Sequence, residues 1–386
     1  MTAAATTTIP QLRAGTGHWV SSARWDLFWM FSAFWASALC FAAVVALGAD
    51  GTRPILFALG SFLAVNHSWS TSYVVIASPL LRDARRRNRA KFTLVPIAIV
   101  IGSLALGYAM AASGGLPSGL PLTRAQALWA LYLALFWIGH FWHFGNQDFG
   151  VLSIYRAKAG QSAQRERRVD KGYAVAMMFV IQPCVYFKSL ASSPLSEAFY
   201  SFVPIPHEWV AIGAAWAAAS AVGLTVAVIA YELRKPHRSL PKLLYYVVML
   251  AHPLTLYFLH WRIAFFYLVV YFWSHWLVAV GLVGRIHINY QRTVGASPAR
   301  ALFVHVTRLG VWVAVAYTFY LCFGKYALFS GEEYQRVLSV VWPDWRGVVG
   351  LIMGAFLAEQ LLHYYCDRCL FRFRDPDVRR AVAPLL

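Results

Sequence analysis

The sequence predicts an all-α, polytopic helical membrane protein with about ten transmembrane helices. Three observations carry that prediction: hydropathy, a ladder of apolar runs, and the placing of the basic residues. Of the 386 residues, 59% are hydrophobic and 13% charged, and the mean hydropathy is +0.54. A water-soluble domain could not hide that much apolar surface. The runs are continuous rather than alternating, which excludes a porin-like barrel. Collagenous, disordered and disulfide-scaffold chains are excluded by the same composition.

Taken at roughly 20 residues each, the length that crosses a bilayer, the apolar runs fall at 27–48, 54–78, 91–112, 126–149, 172–192, 208–231, 242–260, 263–283, 302–323 and 348–370. The net charge of +18 would suggest nucleic acid in a soluble protein, but its distribution says otherwise. With a cytoplasmic N-terminus, 26 of the 34 lysines and arginines lie on inner segments or at the inner ends of spans, and only Lys188 and Arg308 fall deeper inside spans. This bias predicts cytoplasmic termini and a multi-pass protein of the cell inner membrane. The densest run is Arg82, Arg85, Arg86, Arg87, Arg89 and Lys91. It reads as an anchor for anionic lipid headgroups, so the expected partner is the bilayer and not nucleic acid. One transmembrane domain, 27–370, is thus expected between an N-terminal cytoplasmic segment, 1–26, and a C-terminal tail, 371–386. No removable signal peptide is expected, and nothing in the residues points to a protein partner. The five cysteines are an odd, scattered set; Cys366 and Cys369 read as small helix residues rather than a metal or redox pair.

Ionisable residues inside spans are costly and usually functional. At 1.5 Å rise per residue, His67, His140, His143, His252, His275 and His363 reach one slab between the bilayer midplane and the cytoplasmic side, from five different spans. A single buried histidine reads most simply as a hydrogen-bonded core residue. Six at one depth point to a shared cause. Imidazoles without matching thiolates suit iron, copper or zinc better than magnesium or calcium. His18, His207, His237, His260, His287 and His305 lie in loops or near span ends and are not expected as ligands.

Local spacing sharpens the set. His140, His143 and Gln147 share one face of their helix, with Asp148 offset. Glu359, His363 and Asp367 form a stripe at steps of four. A carboxylate one turn from a ligating histidine can take its second N–H and fix its tautomer. Structural alternatives are a Glu359–Arg308 pair and an Asp367 pair with Arg368 or Arg372. His67 sits among Asn66, Ser68, Ser70 and Tyr73, a polar side that belongs in a bundle interior. His140, His252, Asp367, Tyr271 and Tyr73 read as outer groups of the site or as substrate-pocket residues. Dense aromatics, including Trp142, Trp273, Trp276, Phe265, Phe266 and Tyr267, are packing residues that would also suit a long lipophilic ligand. No P-loop, dinucleotide fingerprint, GxSxG elbow, internal repeat or desaturase-type histidine box is present.

The run His143-Phe144-Gly145-Asn146-Gln147-Asp148-Phe149 resembles the HFGxxDF motif of the membrane-embedded Brp/Blh-type β-carotene 15,15′-dioxygenases. His67, His275, and His363 followed by Asp367 fall in the order of that family's other histidine patches. The resemblance implies iron held by His67, His143, His275 and His363; from their own placing, Glu359, Gln147 and Asp148 are expected to orient ligands or move protons. It also implies O2 and a lipophilic substrate, polyene or lipid-like. From the residues alone, two other classes stay open: an ion- or proton-coupled transporter, and a haem-binding membrane protein.

Overall fold

The computed structural model describes residues 17–112, 124–191, 205–258, 261–295, 297, 346–371 and 375–386. Among these the structure is helical and has no strand. Every expected span falls on a helix except 302–323, which lies outside the described residues.

The chain enters through α1 (Ala23–Trp29), capped by the Ser22 hydroxyl. It bends by 52° into the first limb of α2 (Ser32–Ile76). The expected loop 49–53 is instead a tight turn, made at Gly48 with φ 70°, a left-handed value that favours glycine. The Thr52 hydroxyl lies 2.7 Å from the Gly48 carbonyl and 3.0 Å from that of Ala43. In a continuous helix nine residues would span about 13 Å, so the two limbs fold back on one another.

The basic run forms α3 (Arg82–Arg87) and a wide turn, Ala90–Leu94, leading into α4 (Val95–Ala112). Within it, the Arg85 guanidinium donates to the Val75 and Ser78 carbonyls at 3.0 and 2.7 Å. That satisfies the Val75 carbonyl, which the end of α2 leaves open, and the Ser78 carbonyl just beyond it. There follow α5 (Arg124–Lys158), α6 (Gln164–Val175), α7 (Gln182–Ala191), α8 (His207–Leu233), α9 (Leu240–Phe258), α10 (Trp261–Thr293), α11 (Arg346–Leu370) and α12 (Pro376–Val382). The main packed pairs are α4 with α11, α2 with α10 and α11, and α8 with α7 and α9.

Among the described residues, Ala90–Met110 and His207–Leu233 are long and apolar enough to cross a membrane, joined by the bent α1–α2 pair if it counts as one span. The apolar outer surface of α8 includes Trp209 and Trp216, 63% and 72% exposed.

At one end of the bundle, Lys242 is fully buried between Asp170 and Glu232 at 2.9 and 3.1 Å. Arg156 pairs with Asp170 at 2.9 Å and Lys235 with Glu232 at 2.8 Å. Three basic residues of the expected inner segments thus neutralise buried carboxylates and tie α5, α6, α8 and α9 together. Lys242→Met removes the buried cation that Asp170 and Glu232 share and leaves them only Arg156 and Lys235. It is expected to cost about 3–5 kcal/mol, measured as the loss of unfolding free energy in detergent against the parent chain.

Residues 375–386, expected as a tail, pack onto this end. Val378, Val382, Leu385 and Leu386 are buried, and Arg285 and Asn289 donate to the Leu386 and Leu385 carbonyls at 2.9 and 2.8 Å. Asp375 caps α12 through the amides of Asp377 and Val378 and pairs with Lys91 at 2.7 Å. Partial burial opposes its ionisation. The Lys91 and Val378 hydrogen bonds and the Lys91 charge together outweigh that and hold the carboxyl below its usual range. A depressed carboxylate stabilises the fold above its unfolded pKa and loses that contribution as pH falls through the folded one. Acid is therefore expected to loosen α12 first in the parent chain, and Asp375→Ala should remove that pH dependence. Limited proteolysis of residues 371–386 across an acid pH series measures both.

Candidate metal centre

Four helices each bring one histidine to a common point: His67 from α2, His143 from α5, His275 from α10 and His363 from α11. One ring nitrogen of each lies within 4.8 Å of those of the other three, and all four residues are buried. His143 is the hub, with its Nε2 at 2.9 Å from His275 Nε2 and 3.2 Å from His363 Nε2. The His67 ring stands edge-on to those of His275 and His363, with centroids 4.9 and 4.1 Å away.

Polar neighbours let α2 present His67 inward without stranding hydroxyls. Ser68 bonds the Ala64 carbonyl at 3.0 Å, and Ser70 and Thr71 bond that of His67 at 3.0 and 3.4 Å. Gln147 donates to the His275 carbonyl at 2.9 Å, tying α10 to α5 beside that histidine. Phe144 stacks flat on His275 at 3.5 Å, and Tyr364 stacks on His143 at 4.6 Å. These rings pack against the imidazole planes.

The donor set fits a transition-metal ion. With metal–nitrogen bonds of about 2.1 Å, neighbouring ligands at 90–110° stand about 3.0–3.4 Å apart. The His143 contacts of 2.9 and 3.2 Å are close to that spacing. Neither ring nitrogen of His67 has a hydrogen-bond partner among the described residues. A buried, unsatisfied polar atom costs about 1–3 kcal/mol, which a cation shared by the lone pairs would offset.

The other expected residues take distinct places. Asp367 sits one turn beyond His363, its Oδ1 3.7 Å from His363 Nδ1 and its Oδ2 3.7 Å from His143 Nε2. Asp148 accepts from the Tyr245 hydroxyl at 2.6 Å. His252 lies 3.4 Å from the Ser274 hydroxyl and edge-on to Tyr271. Asp148, Tyr245, His252, Tyr271, Ser274 and His275 border a cavity of about 10 Å³, room for about one water. His140 leaves the cluster: its Nδ1 is 3.1 Å from the Tyr364 hydroxyl, within a cage of Phe136, Phe144 and Phe272. Glu359 pairs with the Gln360 amide and with Ser68; Arg308 lies outside the described residues. Tyr73, six residues beyond His67, packs partly buried against the core. Trp273 and Trp276 pack in and against a satellite cluster, and Trp142 is 40% exposed. The side chains of Phe265, Phe266 and Tyr267 lie outside those described. Cys366 and Cys369 are buried core residues. His260 and His305 are outside the described residues, while His18, His207, His237 and His287 are not in the four-histidine group.

Sequence reasoning missed Tyr364, Phe144 and Tyr245. Tyr364 had a faint signal, since it follows His363 and stands four residues after Gln360, whose Oε1 accepts from its hydroxyl at 3.3 Å. Tyr245 had none, because its partner Asp148 lies on another helix.

Fold and site together define a helical protein with a buried four-histidine centre of metal-binding type. No protein-family model, curated protein or solved structure matches the chain.

Proposed function

We propose that the protein is an integral-membrane, histidine-ligated non-haem iron oxygenase that acts with O2 on a lipophilic substrate, polyene or lipid-like. The observation that carries the reading is the convergence of four buried imidazoles from four helices. The HFGxxDF run and the aromatic surroundings support it, as does the absence of thiolates from the cluster. Redox-inert zinc would not serve O2 chemistry, which leaves copper as the alternative to iron. Ring centroids 4.1–5.8 Å apart leave no room for a haem plane between them.

In this reading the bundle crosses the inner membrane about ten times with both termini cytoplasmic, supported by the apolar runs and the basic bias. His67, His143, His275 and His363 would hold the iron, which when bound would supply a redox-active centre for O2. Gln147 anchors the backbone at His275, while Phe144 and Tyr364 lock the ligand rings and exclude water. The Asp148–Tyr245 pair, across the small cavity from His252, holds a proton near the site. Glu359, with Gln360 and Tyr364, forms a second polar arm reaching His140.

Elemental analysis with an optical spectrum on detergent-purified protein, followed by O2 uptake with a polyene and lipid panel, tests the proposal. About one iron per chain without a Soret band, and substrate-dependent O2 uptake, is the expected result. Metal-free protein that drives gradient-dependent uptake in vesicles would overturn it in favour of a carrier.

A further inference from the structure

Among the described residues, the carboxylate of Asp367 has no cationic side chain to answer it. It is 3% exposed, and neither oxygen has a hydrogen bond among the described residues. Its ion-pair contacts there are to His143 and His363 alone. Arg368, a partner that spacing allowed, is on the exposed side of α11, and Arg372 lies outside the described residues. The Thr71 hydroxyl, 3.4 Å from the His67 carbonyl, is also within polar reach of the carboxylate, but it is a neutral donor and brings no countercharge. Ionising that carboxylate needs a countercharge beside it, and four neutral imidazoles supply none. The same imidazoles converge their nitrogens beside it.

The two carboxylate oxygens also face different atoms. Oδ1 is 3.7 Å from Nδ1 of His363, the nitrogen that faces away from the cluster; Oδ2 is 3.7 Å from Nε2 of His143, the hub nitrogen inside it. Residue 367 lies four positions after 363, so α11 alone sets the contact with His363 and carries the same carboxylate to His143.

We infer that Asp367 is the oxygen donor of a four-histidine, one-carboxylate cation site, balancing the ion's charge through Oδ2 while Oδ1 orients His363. The inference rests on the metal-centre reading above and deepens it: the site takes a divalent transition-metal ion with a mixed nitrogen and oxygen donor set. Such a set discriminates against monovalent copper, which prefers softer ligands.

The test uses Co2+ alone as probe on the detergent-purified full chain, read by its visible absorption and by competition with a chelator. Asp367→Asn keeps the shape and removes the charge. It is expected to weaken Co2+ binding by about 10- to 100-fold and to shift the visible bands, whereas Asp367→Glu should retain more of the affinity than Asp367→Asn. Wild-type protein labelled with 13C-aspartate gives a second measurement that needs no variant: Co2+ loading should shift an aspartate carboxylate stretch in the infrared difference spectrum. Wild type that binds Co2+ with no such shift, or Asp367→Asn with unchanged affinity and bands, overturns this inference and leaves the four-histidine centre standing. Wild type that binds no Co2+ overturns both.

Discussion

His143→Ala is expected to abolish stable metal binding and, with it, any substrate-dependent O2 uptake. His143 Nε2 makes both of the closest nitrogen contacts in the cluster, 2.9 Å to His275 and 3.2 Å to His363. Four-ligand protein sites bind structural zinc with about 10–16 kcal/mol. One ligand then accounts for roughly 3–4 kcal/mol, or about a 100- to 1,000-fold loss of affinity. The ring is also the surface on which Tyr364 stacks, so truncation leaves a gap that lets water reach the centre. Metal content after dialysis against a weak chelator measures the effect. Retention of full metal and activity would remove His143 from the ligand set. Trp216→Ala, on the exposed face of α8, is the control and should keep its metal.

Gly354→Leu is expected to undock α11 from α4 and to empty the centre without touching a ligand. A Cβ on Gly354 would stand 2.5 Å from the Ser103 carbonyl oxygen and 2.6 Å from Leu104 Cα. One on Gly107 would stand 2.2 Å from the Gly350 carbonyl oxygen. These obstacles are backbone, which cannot rotate aside, so the helices must separate. Small residues at such crossings let membrane helices approach closely, and here the Gly350 and Gly354 pair meets Ser103 and Gly107. Overpacking costs about 1–3 kcal/mol where side chains can yield, and a backbone clash belongs at or above the top of that range. Because α11 carries His363, Asp367, Glu359 and Tyr364, a shift of α11 spreads the donor nitrogens apart. Thermal unfolding in detergent and metal content should fall together in Gly354→Leu, and Gly354→Ala should show a smaller loss of both. A Gly354→Leu protein with unchanged melting and metal would mean that the crossing does not hold the site.

Helix rise makes the depth of each histidine legible in the amino-acid order alone. Counting 1.5 Å per residue along an apolar run gives the height at which His67, His143, His275 and His363 stand on their helices, and the fold does bring those four together. Depth says nothing about direction around the bundle. His140 shares the slab and nearly the face of His143, yet bonds Tyr364 instead. His252 shares the slab too and turns to Ser274. Asp148 sits in the most distinctive motif of the chain but answers Tyr245 on α9, a partner no local pattern names.

The amino-acid sequence by itself determined the helical class, the long apolar runs and the axial height of the polar residues, because these follow from composition and from the fixed pitch of a helix. Which histidines meet, which turn away and where Asp367 finds its neighbours was decided only by the tertiary structure. Those outcomes depend on how close α4 and α11 pack at Gly107 and Gly354, how sharply α2 reverses at Gly48, and how each helix is rotated about its axis. Rotation and approach are set by side chains far apart in the chain filling one another's space, and no local spacing encodes them.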